Sequence, residues 1–194
     1  MHMKFRQAFL FLTCALLLTL SNLAMAQSEL ANKLQDGTHV LLMRHADAPG
    51  YGDPKNYQIS QCSTQRNLGD IGRKQAIGIG NWLSSQGVQN AKVYSSPWCR
   101  CVDTANLLNK GAVKKEAALG SFFDDMSQAK KQNDELIKLI ATERKQYPNT
   151  PIIMVTHHVN IQSYVDMVVN SGDMVLVKVD PSGKPVSFKL YPSP

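Results

Sequence analysis

The sequence predicts an α/β fold: a three-layer sandwich with a mainly parallel central sheet and helices on both faces. Three observations predict it. Two short apolar runs, Val40-Leu41-Leu42-Met43 and Ile152-Ile153-Met154-Val155-Thr156, read as strands buried on both faces. Segments with helical spacing alternate with such runs, which implies helices covering both faces of a sheet. Each run is closed by a histidine, as Arg44-His45 and as His157. The carboxyl ends of strands are where ligands bind in open α/β sheets.

Taken in order, the chain opens with a segment that does not read as part of the fold. Lys4 and Arg6 precede an apolar stretch from Ala8 to Leu20, and Ala24-Met25-Ala26 has the small-x-small pattern of a signal-peptidase site. Residues 1–26 are therefore expected to be a cleaved signal peptide, and residues 27–194 a single domain. The stretch is shorter than the roughly 20 apolar residues of a membrane span and is broken by Thr13 and Thr19, so no transmembrane anchor is expected after cleavage.

The first strand is expected over Thr38 to Met43, followed by a long polar loop from Pro49 to Arg66. A helix follows from Asp70 to Ser85, with Ile71, Ile77 and Trp82-Leu83 as its apolar positions and Gln86-Gly87 as its stop. Ala91 to Tyr94 is a short strand. Ser95-Ser96-Pro97 then opens a helix running to about Leu108, with serine as N-cap, proline in the first turn and Asn109-Lys110-Gly111 as the end. Lys114 to Asp125 reads as loop with at most a short strand. A helix from Ser127 to Gln146, the strand Ile152 to Thr156 and a helix from Val159 to Val169 complete the alternation. A hairpin of Met174 to Val179 and Val186 to Leu190 closes the chain.

The formal charge is +6, and loss of Lys4 and Arg6 leaves +6 − 2 = +4. The basic residues are dispersed and lack the clustering and interleaved aromatics of nucleic-acid binders, so no nucleic-acid partner is expected. Cys62, Cys99 and Cys101 remain in the exported chain, where one disulfide is plausible. Pairing Cys99 with Cys101 would close too tight a loop. On a helix Cys101 shares a face with Thr104, Ala105 and Leu108, whereas Cys99 lies on a more polar face, so Cys62 to Cys99 is the expected bridge, with Cys101 free and buried. A metal held by the Cys-x-Cys pair is disfavoured because there is no second pair. No metal or other cofactor is expected.

Four segments resemble, in order, the motifs of the histidine phosphatase superfamily, which includes phosphoglycerate mutases and phosphohistidine phosphatases. They are Leu42-Met43-Arg44-His45-Ala46, Asn67-Leu68-Gly69-Asp70-Ile71-Gly72-Arg73-Lys74-Gln75-Ala76, Tyr94-Ser95-Ser96-Pro97-Trp98-Cys99-Arg100-Cys101-Val102-Asp103-Thr104-Ala105 and Val155-Thr156-His157-His158. The resemblance implies His45 as a nucleophile that becomes phosphorylated, with Arg44, Arg100 and His157 around the transferred group. Ala46 and His158 stand where glycine is usual. Ser121, in Leu119-Gly120-Ser121, stands where much of the family has its acidic glutamate. Asp124 and Asp125 are the nearest substitutes, and Asp47 is a further candidate.

The chemistry is coherent apart from the name. A phosphoryl group in transfer spreads charge over its equatorial oxygens, and guanidinium and imidazole donors answer that charge. Arg66, at the end of the long loop, could reach the phosphate or be a solvated loop arginine. His158 and His39 read as structural, and Asn160 as a helix cap. The expected function is an exported, metal-independent phosphomonoesterase, periplasmic or secreted, acting on a small-molecule or envelope-associated phosphomonoester. The alternative is a non-catalytic anion-binding or interaction module on the same fold, which Ser121 keeps open. The sequence does not choose among substrates, nor does it fix an oligomeric state.

Overall fold

The computed structural model describes residues 28–194. The expected signal peptide, residues 1–26, lies outside the described residues. The elements are α1 (Glu29–Gln35), β1 (His39–Arg44), α2 (Asp70–Ser85), β2 (Lys92–Ser95), α3 (Cys99–Leu108), β3 (Val113–Lys115), α4 (Ala129–Gln146), β4 (Ile152–Thr156), α5 (His158–Val165), β5 (Met174–Val179) and β6 (Pro185–Tyr191). Strand order is β3-β2-β4-β1-β5-β6. The pairs β2·β3, β2·β4 and β1·β4 are parallel, and β1·β5 and β5·β6 are antiparallel.

Alternate residues of the strands feed two cores. Leu41, Met43, Ile153 and Val155 point to α1, α2 and α3, where they meet Leu30, Leu34, Ile79, Leu83 and Leu108. Val40, Leu42, Ile152 and Met154 point to the other face and meet Leu136 and Ile140 of α4 and Ile161 and Tyr164 of α5. Burial on both faces explains why these strands read as continuous apolar runs rather than alternating ones. The three-layer arrangement is the expected one.

Several local expectations need correction. The first strand runs one residue later than Thr38 to Met43, and α1, capped by the Ser28 side chain on Ala31 N–H, precedes the expected start of structure. In α2, Ile71 is 74% exposed and Ile77 is exposed as well, while Gly72, Ala76, Ile79, Gly80 and Leu83 are buried. This helix packs by Ile79 and Leu83 together with the small residues Gly72, Ala76 and Gly80. A Cβ at Gly72 would lie 1.9 Å from the Asp47 carbonyl oxygen, and one at Gly80 2.4 Å from that of Leu108. Helix α5 ends at Val165, not Val169, because Asp166 turns left-handed at φ 53°. Ser95 and Ser96 do not cap α3, which begins at Cys99. Its Cys99 N–H instead donates to Gln65 Oε1 of the long loop at 2.9 Å.

Candidate active site

Strands β1 and β4 are parallel neighbours with Arg44 in register with Thr156, so the residues that follow each strand emerge side by side. His45 N–H donates to the Thr156 carbonyl at 3.0 Å, and the rings of His45 and His157 lie 5.5 Å apart. Adjacency of two strand ends is what brings residues 112 positions apart into one site.

The segment after β1 is braced by two helices, α3 and α2. Ala46 N–H donates to Thr104 Oγ1 of α3 at 3.0 Å, and Asp47 N–H donates to Gln75 Oε1 of α2 at 2.9 Å. Gly72 gives the room for α2 to touch the Asp47 backbone. Gly72, Gln75 and Thr104, from the second and third motifs, thus hold the loop that follows His45.

His45 is 1% exposed, and its Nδ1 is 2.8 Å from the Ala46 carbonyl oxygen. A carbonyl only accepts, so Nδ1 carries the proton and Nε2 keeps its lone pair. Burial, followed by the nearby charges of Arg100, Arg44 and Arg66, pushes the imidazole down to about 3 against the partly offsetting Ala46 hydrogen bond. His157 is 2% exposed and is held well below its ordinary value by burial first, then by His45 and Arg100. Its Nδ1 faces Arg100 Nη2 at 3.5 Å, a donor, which assigns the proton of the neutral ring to Nε2, 2.8 Å from Ser96 Oγ. The free thiol of Cys101 lies 3.5 Å from the same Nε2 and is pushed up to about 12 by burial.

Arg44, Arg66 and Arg100 line one cavity of about 320 Å3 together with His45, Asp47, Tyr51, Asp53, Ser121, Phe123, Asp124, His157 and His158. Arg44 Nη1 donates to the Val169 carbonyl at 2.8 Å, and Arg66 Nε to that of Gly52 at 2.8 Å. Arg66 Nη1 bonds the Ala48 carbonyl, so this residue belongs to the pocket wall and not to a solvated loop. Arg44 and Arg100 each keep a buried Nε–H without a partner. Unsatisfied buried guanidinium donors in a concave site are the signature of a place for an anion.

Of the expected acids, Asp124 and Asp47 reach the cavity and Asp125 does not. Asp124 Oδ2 accepts from Tyr57 Oη at 3.2 Å. The Asp125 carboxylate is consumed by its own turn, accepting from Ser127 N, Ser127 Oγ and Gln128 Nε2. Ser121, which stands where much of the resembled family has glutamate, lines the cavity, its Oγ accepting from Phe123 N–H at 3.2 Å. His158, read as structural, lines the pocket and packs its ring on Phe123 at 5.6 Å. His39 keeps the structural role, bonded to Asp36. Asn160 is not a cap. It is buried, and its Nδ2 donates to the Gly120 carbonyl at 2.8 Å, fixing the segment that carries Ser121.

Asp53 and Gln65 were missed. Both belong to the polar loop, and a lone acid or amide among glycine, proline and asparagine carries no sequence signal of burial. Cys62 and Cys99 form a disulfide, as expected, and Cys101 is free and buried. Among the described residues no group of three or more His, Cys, Asp or Glu is placed to hold a metal ion, and no helix is long and apolar enough to cross a membrane.

The histidine phosphatase superfamily (branch 1) family model matches residues 40–120, from β1 to the segment before Ser121. No curated protein sequence matches the chain. Among solved structures, the protein histidine phosphatase SixA complexed with tungstate superposes with a TM-score of 0.54 at 16% identity, over 79% of this chain and 94% of that one. Phosphoserine phosphatase from Entamoeba histolytica, in complex with 3-phosphoglyceric acid, gives 0.57 at 14% identity over 78% and 96%. Mycobacterial glucosyl-3-phosphoglycerate phosphatase complexed with VO3 gives 0.55 at 14% over 79% and 97%. At these identities the structural likeness speaks for the fold alone, and the segment matched by the family model ends before His157. Residues 40–120 of this chain are thus similar to the histidine phosphatase superfamily (branch 1) model, and its fold is that of the solved phosphatases.

Proposed function

We propose that the chain is an exported, metal-independent phosphomonoesterase that works through a phosphohistidine on His45. The observation that carries this reading is a neutral, buried imidazole with its Nε2 lone pair free, in a cavity whose guanidinium groups retain buried, unpartnered N–H donors. Burial holds His45 unprotonated at neutral pH, which is the form that attacks. Nε2 attacks phosphorus while the bond to the leaving oxygen breaks. Arg44, Arg66 and Arg100 face the equatorial oxygens, where charge is spread in the transition state, and His157 joins them. Asp124 delivers a proton to the leaving oxygen and then takes one from the water that attacks the phosphohistidine. That second displacement breaks the P–N bond and releases phosphate. The scheme needs no metal, because the cation cluster supplies the charge.

Export to the periplasm or the medium is supported by the signal-like segment and by the Cys62–Cys99 bridge, which suits an oxidising compartment. The substrate is a small-molecule or envelope-associated phosphomonoester. The cavity, about 320 Å3, is at the small end of ligand pockets and suits one small group beside the phosphate. A second reading, a phosphate-binding module without turnover, draws on Ser121 at the position of the missing glutamate.

The test is hydrolysis of para-nitrophenyl phosphate by the mature protein with and without chelator, together with acid-quench detection of acid-labile phosphate. Turnover that survives chelation and is lost in His45→Ala supports the enzyme. Phosphate binding without turnover supports the module, and near-normal turnover by His45→Ala refutes the mechanism.

A further inference from the structure

Asp53 sits in the polar loop between β1 and α2, yet its side chain is 3% exposed and that of its partner Arg100 is 5% exposed. Its two carboxylate oxygens collect donors from three places. Arg66 N–H donates to Oδ1 at 2.9 Å, Trp98 Nε1–H to Oδ2 at 3.2 Å, and Arg100 Nη1 to Oδ1 and Oδ2 at 2.9 and 3.0 Å. One carboxylate thus joins the loop that carries Arg66, the residue preceding α3, and the arginine at the start of α3.

The bond to Arg100 is one-sided. Nη1 is taken by Asp53, with the Arg66 carbonyl at 3.4 Å, while Nη2 lies 3.5 Å from His157 Nδ1 and Nε keeps a buried hydrogen without a partner. A guanidinium has two faces on which paired N–H groups can grip an oxyanion, and the Nε/Nη2 edge is the one Asp53 leaves open. We propose that Asp53 is the positioning residue of the phosphate site, orienting Arg100 so that its Nε/Nη2 edge faces the phosphoryl oxygens, with Arg66 set by the same carboxylate. This rests on the reading that the cavity binds a phosphoryl group.

Two effects of Asp53 oppose each other, and that makes the idea decidable. As a charge, Asp53 weakens the field that draws an anion, so its neutralisation should tighten binding. As an orienter it fixes the fork, so its neutralisation should loosen binding. Asn is a sharp probe because every partner of Asp53 is a donor. An amide NH2 in that place faces other N–H groups and cannot hold them.

The experiment measures inorganic phosphate binding by titration calorimetry on the disulfide-bonded mature protein, well below its melting temperature, and compares native protein with Asp53→Asn, Asp53→Glu and Arg100→Ala. Both Asp53 variants are expected to bind phosphate at least about tenfold more weakly, since breaking one side of a buried charged pair is costly. The KM for para-nitrophenyl phosphate should rise in parallel. Unchanged or tighter binding by folded Asp53→Asn overturns the proposal. If that variant does not fold, Asp53→Glu decides, because it keeps the charge and moves the carboxylate by one methylene: unchanged affinity there overturns the positioning role. Arg100→Ala separates the two failures. Native-like phosphate binding by Arg100→Ala would refute the phosphate pocket itself, whereas loss in Arg100→Ala with none in the Asp53 variants refutes only the role of Asp53.

Discussion

Reducing the Cys62–Cys99 bridge should cost the protein both stability and its grip on phosphate. The two cysteines are 37 residues apart. In the chain-entropy treatment, closing a loop of that length removes about 13 cal/mol/K from the unfolded ensemble, or about 4 kcal/mol at 25 °C. For a domain of this size each kcal/mol moves the melting temperature by about 2–4 °C, so reduction is expected to lower it by roughly 8–15 °C. The loss should not be repaired by exchange with Cys101, whose thiol is buried and pushed up to about 12, which leaves almost no thiolate to attack. Function should suffer as well, because the bridge ties exposed Cys62 to the first residue of α3, next to Arg100. The assay is a thermal melt with and without a phosphine reductant, paired with phosphate titration below both transitions and with peptide mapping to confirm the thiol state. A shift under about 3 °C with reduction confirmed, or a mapped Cys62 to Cys101 link, would refute the reasoning.

Other consequences are equally direct. His45 and His157 are held neutral by the fold, so below about pH 6.5 the unfolded chain binds more protons than the native one, for His45 down to about pH 3. Stability is therefore complete above about 6.5 and falls as the pH drops through that window, by up to about 1.4 kcal/mol per pH unit for each histidine; urea titrations at stepped pH should show this, and inorganic phosphate should blunt it. Gly72→Ala would set a methyl 1.9 Å from the Asp47 carbonyl oxygen and should destabilise by about 1–3 kcal/mol with loss of turnover, whereas Gly78→Ala, with open space around it, should stabilise by up to about 1 kcal/mol; equal effects on denaturant midpoints would contradict the packing account. Asp124→Asn should slow hydrolysis of an alkyl phosphate about 10²–10⁴-fold and that of para-nitrophenyl phosphate far less, while Asp125→Asn should do neither. Selectivity in Asp47→Asn alone would move the acid beside the nucleophile.

What the sequence made legible was the part governed by local pattern. Strands β1 and β4 are apolar runs because both faces are covered, and the residues closing them had to sit together once the strands were parallel neighbours. The disulfide followed from the faces of a helix. What was illegible depends on partners far along the chain. Ile71 and Ile77 look like core residues on composition, but α2 turns Ile79 and Leu83 inward together with Gly72 and Gly80, whose close backbone approaches leave no room for a side chain at those two positions. A serine before a helix is a good cap in isolation. Here Gln65, 34 residues earlier, takes the Cys99 N–H instead. Asp125 and Asp124 are indistinguishable in sequence, and only the turn that uses up the Asp125 carboxylate separates them.

That capping by Gln65 bears on how such a protein can diversify. In many α/β enzymes the loops over the strand ends are interchangeable, and substrate preference drifts by swapping them while the catalytic frame stays put. In this chain the loop that walls the cavity also caps the start of α3, anchors it covalently and supplies the partner of Arg100. Grafting a foreign loop between Pro49 and Arg66 would therefore dismantle the frame along with the specificity. Productive change has to come one side chain at a time, at loop positions such as Tyr51 that stand 88% exposed and take no part in that scaffold.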